Sequence, residues 1–184
     1  MENKAVFLDR DGTINVDKGY VYKIEDLEIL PNVVEGLKLL RQAGYKLIII
    51  TNQSGIARGY YTEEDYFRFK KEMHEKLKEH EIFINAEYFC PHHPNGTIEK
   101  YKSDCDCRKP KTGMLEQAAR DFNLNLRESW MIGDSLRDIQ TGKNAGCRTI
   151  HILIREEKNL VKEAEFVARD MLEAAHYILN NKNK

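Results

Sequence analysis

The chain has 184 residues, with 29 lysines and arginines against 30 aspartates and glutamates, for a formal net charge of −1. That length can bury a core without disulfide staples and is expected to form one domain over 1–184. The near balance of charge excludes a general nucleic-acid or membrane-surface binder, and the longest aliphatic run, "LIII" at 47–50, is far too short to span a bilayer.

The chain opens on an apolar run rather than on a signal-peptide layout, so a soluble, cytoplasmic protein with reduced thiols is expected. That run, "AVFLD" (5–9), reads as a buried strand ending in acid and glycine. "VVEGLKLLRQAG" (33–44) has apolar residues at helical spacing and closes on glycine. "KLIIITN" (46–52) is a second buried strand. "TEEDYFRFKKEMHEKLKEH" (62–80) is a helix capped by Thr62, with acids early and bases late. "AEYFC" (86–90) is a third strand and "TGMLEQAARDF" (112–122) a helix capped by Thr112. "SWMIGD" (129–134) and "RTIHILI" (148–154) are strands on either side of the helix "LRDIQTGKNAG" (136–146). "EFVARDMLEAAHYIL" (165–179) is a short strand or turn followed by a helix, and the tail "NNKNK" frays. Apolar strands alternating with amphipathic helices predict a three-layer α/β fold with a mostly parallel sheet, and ligands bind beyond the carboxyl ends of such strands. The predicted strands end at Asp9, Thr51 and Asp134, which would bring three polar side chains to one rim.

The residues at that rim fit phosphoryl chemistry. In "FLDRDGT", Asp9 sits at the strand tip and Asp11 two residues on. Two carboxylates and a turn glycine can simply cap a strand end. They can also act as a covalent nucleophile and a general acid/base. Carboxylates facing a phosphate repel it, so the second reading needs a cation such as Mg²⁺, held by a few carboxylates plus substrate oxygens. Asp134 in "GDSLRD" supplies a third acid. Asp138, one helical turn later, could orient the cation through water. Thr51 could donate its hydroxyl proton to a phosphoryl oxygen, and Lys109 could neutralise charge developing in the transition state.

The order "DRDGT", the Thr51 strand end, Lys109 and "GDSLRD" resembles the four motifs of the haloacid dehalogenase superfamily of phosphatases. The resemblance implies that Asp9 forms an aspartyl-phosphate, and that Asp11 protonates the leaving oxygen and then activates water. It further implies that Asp9 and Asp134 bind Mg²⁺ by side chain while Asp11 adds its backbone carbonyl. No separate cap domain fits between Asp11 and Thr51 or between Thr51 and Lys109.

"CPHHPNGTIEKYKSDCDC" (90–107) holds three of the four cysteines and two of the six histidines. Its spacing, two close ligand pairs separated by a loop, is the usual plan of a structural zinc site. Cys90, His92, Cys105 and Cys107 make a closed tetrahedral set, with His93 as the rival imidazole. A redox cluster or unligated thiols are the other readings. Zinc here would brace the adjoining Arg108 and Lys109 rather than do chemistry. Cys147 reads as a buried small residue, and His74, His80, His151 and His176 as residues without a catalytic role.

At finer grain, "FLDRDGTIN", "DKGYV", "TNQSGIARG", "CPHHP", "CDCRKP" and "GD" resemble the subgroup containing heptose bisphosphate phosphatases and histidinol-phosphatases. The resemblance implies that Asp17, Lys18, Gly19 and Tyr20, and Asn52, Gln53 and Ser54 after Thr51, line the substrate pocket. Arg108 would recognise a second phosphate, with Arg58 a weaker candidate. Ser135 departs from the subgroup, in which lysine often follows the Asp134 position. The implied substrate is a small sugar bisphosphate, dephosphorylated at C7 in synthesis of surface heptose. Histidinol phosphate is the alternative substrate, and a non-catalytic zinc-braced binding module the alternative of another class. The chain is expected to act as a monomer.

Overall fold

A computed structural model describes residues 3–153 and 163–181. Six parallel strands form one sheet in the order β3-β2-β1-β4-β5-β6. They are β1 (Ala5–Leu8), β2 (Lys46–Asn52), β3 (Ala86–Cys90), β4 (Trp130–Gly133), β5 (Arg148–Ile152) and β6 (Phe166–Ala168). β1 lies between β2 and β4, with Phe7 opposite Ile48 on one side and Met131 on the other. Ile154, at the end of the expected fifth strand, and residues 182–184 of the tail lie outside the described residues.

Alternation along each strand divides the core into two layers. Val6, Leu8, Leu47 and Ile49 face α1 (Val33–Gln42), α2 (Glu63–Lys78) and α5 (Met171–Asn180). Ala5, Phe7, Ile48, Ile50 and Met131 face the other way, onto Met114, Leu115 and Ala118 of α3 (Gly113–Phe122). Burial on both faces explains why the central strands read as continuous apolar runs. α4 (Leu136–Asn144) packs on β4 and β5, and Gly142 is the close-approach point against Met131 and Thr149.

Helix starts follow local chemistry, with one difference from expectation. The Thr62 hydroxyl accepts from the Asp65 N–H, and the Asp65 carboxylate accepts from the Thr62 N–H. That reciprocal pair satisfies two donors the helix cannot. Thr112 also precedes its helix, but its hydroxyl donates to the Glu116 carboxylate at 2.6 Å and caps no backbone N–H. Ser129 lies outside β4. Its hydroxyl accepts from the Ala5 N–H and donates to the Asn125 carbonyl, tying the start of β1 to the turn before β4.

The strand order reverses direction at β1, between β2 and β4. The loops leaving β1 and β4 therefore diverge and open a crevice at the carboxyl edge. Helices α1 and α5 close the opposite layer at Gly36, where an added Cβ would lie 2.5 Å from the Met171 carbonyl oxygen. Gly36→Ala is expected to destabilise the fold by about 1–3 kcal/mol, because backbone rather than a flexible side chain must move. Urea unfolding measures this, and an unchanged midpoint would contradict the packing.

Candidate active site

The crevice is a cleft of about 300 Å³ lined by Asp9, Asp11, Thr51, Lys109 and Asp134, among others. At its floor the ammonium of Lys109 is 3 % exposed. It lies 2.7 Å from Asp9 Oδ1 and 2.6 Å from Asp138 Oδ1, and donates to the Ile50 carbonyl at 3.0 Å. All three of its protons are thus used. Asn52 clamps the same residue by its backbone: its amide NH₂ donates to the Lys109 carbonyl and its amide oxygen accepts the Lys109 N–H.

Asp9 Oδ1 also accepts the Arg10 N–H at 2.8 Å, and no donor among the described residues reaches Oδ2. Carboxylate oxygens of Asp9, Asp134 and Asp138 lie within 4.8 Å of one another. Three acids around one ammonium leave an excess of negative charge. Burial, then the Asp138 charge, push Asp9 up to about 7. Burial, then the Asp9 charge, push Asp134 up to about 8. A divalent cation here would offset both shifts by favouring the ionised carboxylates. Gly12, at φ +81°, makes room for this: a Cβ there would fall 2.2 Å from Asp134 Oδ2. Asp138 belongs to the same group of acids and is fully buried, and its second oxygen accepts from the Ser135 N–H and hydroxyl at the start of α4. It therefore holds Lys109 and caps a helix.

The Asp11 carboxylate turns away from the other acids. Both its oxygens accept from the Arg10 guanidinium, Oδ1 also from the Asn15 amide and Oδ2 from the Gln53 amide. Arg10 is itself fully buried, over the Phe69 ring and bonded to the Val21 carbonyl. Gln53 lines the cleft as expected, and so does Asn52. The Gln53 NH₂ donates to Asp11 and to the Thr51 hydroxyl, and its oxygen accepts the Tyr61 hydroxyl. Thr51, accepting from Gln53, keeps its own proton for donation into the cleft.

Asp17, Gly19, Tyr20, Ser54 and Arg108 line the cleft. Lys18 does not: its ammonium lies near Asp26 and Glu28. Arg58 is not among the lining residues, and one of its guanidinium nitrogens lies 3.0 Å from His93 Nε2. Arg10, Asn15, Tyr61 and Arg137 were not anticipated as site residues. The pattern "DRD" flagged only the position of Arg10, and nothing local flags Tyr61.

Beside the cleft, one ligand atom from each of Cys90, His92, Cys105 and Cys107 lies within 4.8 Å of the rest. Sulfur–sulfur distances are 3.3 Å (Cys90–Cys105) and 3.0 Å (Cys105–Cys107), and His92 Nδ1 is 3.5 Å from the Cys107 sulfur. Without a cation the thiols share protons. Hydrogen bonding from Cys90 draws Cys107 down to about 5, while bonding to Cys107 pushes Cys90 up. A divalent metal would let all three ionise, so the donor set fits zinc. His93 points elsewhere, its Nδ1 accepting the Asn95 N–H. The Arg108 guanidinium donates to the His92 carbonyl at 3.1 Å, which couples the cluster to the cleft.

Comparison with known proteins agrees with this architecture. The HAD-hydrolase-like family profile matches residues 106–179. D-glycero-β-D-manno-heptose-1,7-bisphosphate 7-phosphatase of Haemophilus influenzae is 42 % identical over 94 % of this chain and 92 % of its own length. The enzyme of that name from Photorhabdus laumondii is 44 % identical over 96 % and 90 %. The chain belongs to the heptose bisphosphate phosphatase family of haloacid dehalogenase-like hydrolases. Among solved structures, D,D-heptose 1,7-bisphosphate phosphatase from B. bronchiseptica, complexed with magnesium and phosphate, superposes with a TM-score of 0.81. It is 28 % identical and the match covers 97 % of this chain and 98 % of that one. No helix among the described residues is long and apolar enough to cross a membrane.

The raised acids make a prediction about metal-free protein. Their folded values exceed the ordinary 3.8, so the folded state binds more protons than the unfolded state between about pH 4 and 8, and stability falls as pH rises through that window. Mg²⁺ must displace those protons at low pH. The rise in melting temperature on adding Mg²⁺ is therefore expected to be larger at pH 8 than at pH 6. An equal rise at both would contradict the charge arrangement.

Proposed function

We propose that the chain is a Mg²⁺-dependent phosphatase that removes the C7 phosphate of D-glycero-β-D-manno-heptose 1,7-bisphosphate and leaves the C1 phosphate. The observation that carries the reading is the Asp9 carboxylate, anchored through Oδ1 on Lys109 and the Arg10 N–H, with Oδ2 left open to the cleft. The relatives named above supply the substrate and the anomer.

Asp9 Oδ2 attacks phosphorus and the bond to the sugar oxygen breaks, giving an aspartyl-phosphate on Asp9. Asp11 delivers a proton to the leaving oxygen. It then takes one from the water that cleaves the aspartyl-phosphate. The Thr51 hydroxyl donates to a phosphoryl oxygen, and Lys109 offsets charge gathering on Asp9 and the transferred group. Asp9, Asp134 and the Asp11 carbonyl would hold Mg²⁺, which supplies charge neutralisation of the phosphoryl oxygens. Cys90, His92, Cys105 and Cys107 would hold zinc as a structural brace. The whole of 1–184 then acts as one phosphatase domain, as a cytoplasmic monomer on a small sugar bisphosphate.

Asp9→Asn is expected to abolish phosphate release while leaving the protein folded. The assay compares both heptose 1,7-bisphosphate anomers with histidinol phosphate, in Mg²⁺. Preference for the β anomer supports the reading, and preference for histidinol phosphate replaces it. Turnover surviving Asp9→Asn would rule out the covalent route.

The metal reading has its own check. Purified protein is expected to carry about one zinc per chain, and Cys105→Ser to lose it along with about tenfold or more in kcat/KM. Fully active protein without bound zinc would defeat the brace.

A further inference from the structure

Arg137 has no part in the chemistry above. It stands on the first turn of α4, is exposed, and lines the same cleft as Asp9, Asp134 and Arg108. A cation in the first turn opposes the helix dipole, so helix stability does not account for it. No carboxylate among the described residues pairs with it. Arg10, Arg148 and Arg169 each have an acid partner, at Asp11, Glu165 and Glu173.

Arg108 is in the same condition. It lines the cleft, and its one described partner is the neutral His92 carbonyl. Two guanidiniums that line one cleft without a carboxylate partner are well placed for an arriving anion. That anion is not the reacting phosphoryl group, which is met at the floor by Lys109 and Thr51. A doubly charged phosphate suits the guanidinium fork bidentately.

We propose that Arg137 joins Arg108 in holding the phosphate that is not cleaved, and that Arg137 is a specificity-determining residue selecting bisphosphorylated over monophosphorylated sugars. The inference rests on the heptose bisphosphate reading and adds to it a second cation from α4, an element separate from the metal-braced loop.

The test measures kcat/KM on heptose 1,7-bisphosphate and on heptose 7-phosphate for the wild type, Arg137→Ala, Arg108→Ala and the double variant. The bisphosphate-to-monophosphate ratio is expected to fall about tenfold or more in Arg137→Ala, chiefly through KM on the bisphosphate. The double variant is expected to lose less than the product of the single losses, because both residues grip one group. A wild-type preference that survives Arg137→Ala within about twofold would overturn the inference alone. A wild type that releases phosphate from both sugars without preference would overturn the bisphosphate reading, and the inference with it.

Discussion

The structure is organised around one buried ammonium. Burying a charge costs far more than any surface ion pair returns, unless partners surround it. Lys109 meets that demand with Asp9 from the end of β1, Asp138 from α4 and the Ile50 carbonyl from β2. Asp138 in turn caps α4 through Ser135, and Asn52 at the end of β2 fixes the Lys109 backbone. Three elements thus share one electrostatic anchor. The same group of side chains suits a cation, since Asp9, Asp134 and Asp138 together outweigh one lysine. Removing Lys109 would leave two buried carboxylates unpaired, so its loss would be felt in folding as well as in chemistry.

The cysteine cluster solves a different problem. The stretch from 90 to 107 contains little regular structure beyond a short 3₁₀ turn at Glu99–Tyr101, yet it must deliver Arg108 and Lys109 to the cleft accurately. A metal held by Cys90, His92, Cys105 and Cys107 at its two ends would do what packing cannot. The bond from Arg108 to the His92 carbonyl shows how the order passes on, from a ligand's own backbone to a cleft-lining guanidinium.

Most of the fold was readable because its strands are buried on both faces and its helices carry local start and stop chemistry. Asp9, Thr51 and Asp134 follow from strand ends, and the cysteine cluster from spacing. What escaped was set by contacts distant in sequence or by competition between partners. Lys18 pairs with Asp26 and Glu28 across a loop, so its place beside Asp17 and Gly19 says nothing about where its ammonium goes. Asp138 sits one turn from Asp134, and its bond to a buried lysine from another segment is invisible in that spacing. Thr112 has the right position for a cap and a nearer acid for its hydroxyl. Arg137 looks like ordinary helix surface until the β1 and β4 loops set the cleft beside it.

Gln53 shows how far such a distant contact can reach. An amide can be turned end for end at little cost, and only its neighbours decide which way it lies. The Asp11 carboxylate can only accept, so the NH₂ must face it and Thr51, and the amide oxygen is left to take the Tyr61 hydroxyl proton. Thr51 then accepts rather than donates on that side, and its proton is free for a phosphoryl oxygen. Tyr61 is held in turn by stacking on Tyr22, and Gly55 leaves room for it, since a Cβ there would lie 2.1 Å from its ring. One amide outside the four motifs therefore ties together Asp11 and Thr51, the two groups proposed to move a proton and to meet the phosphoryl oxygen.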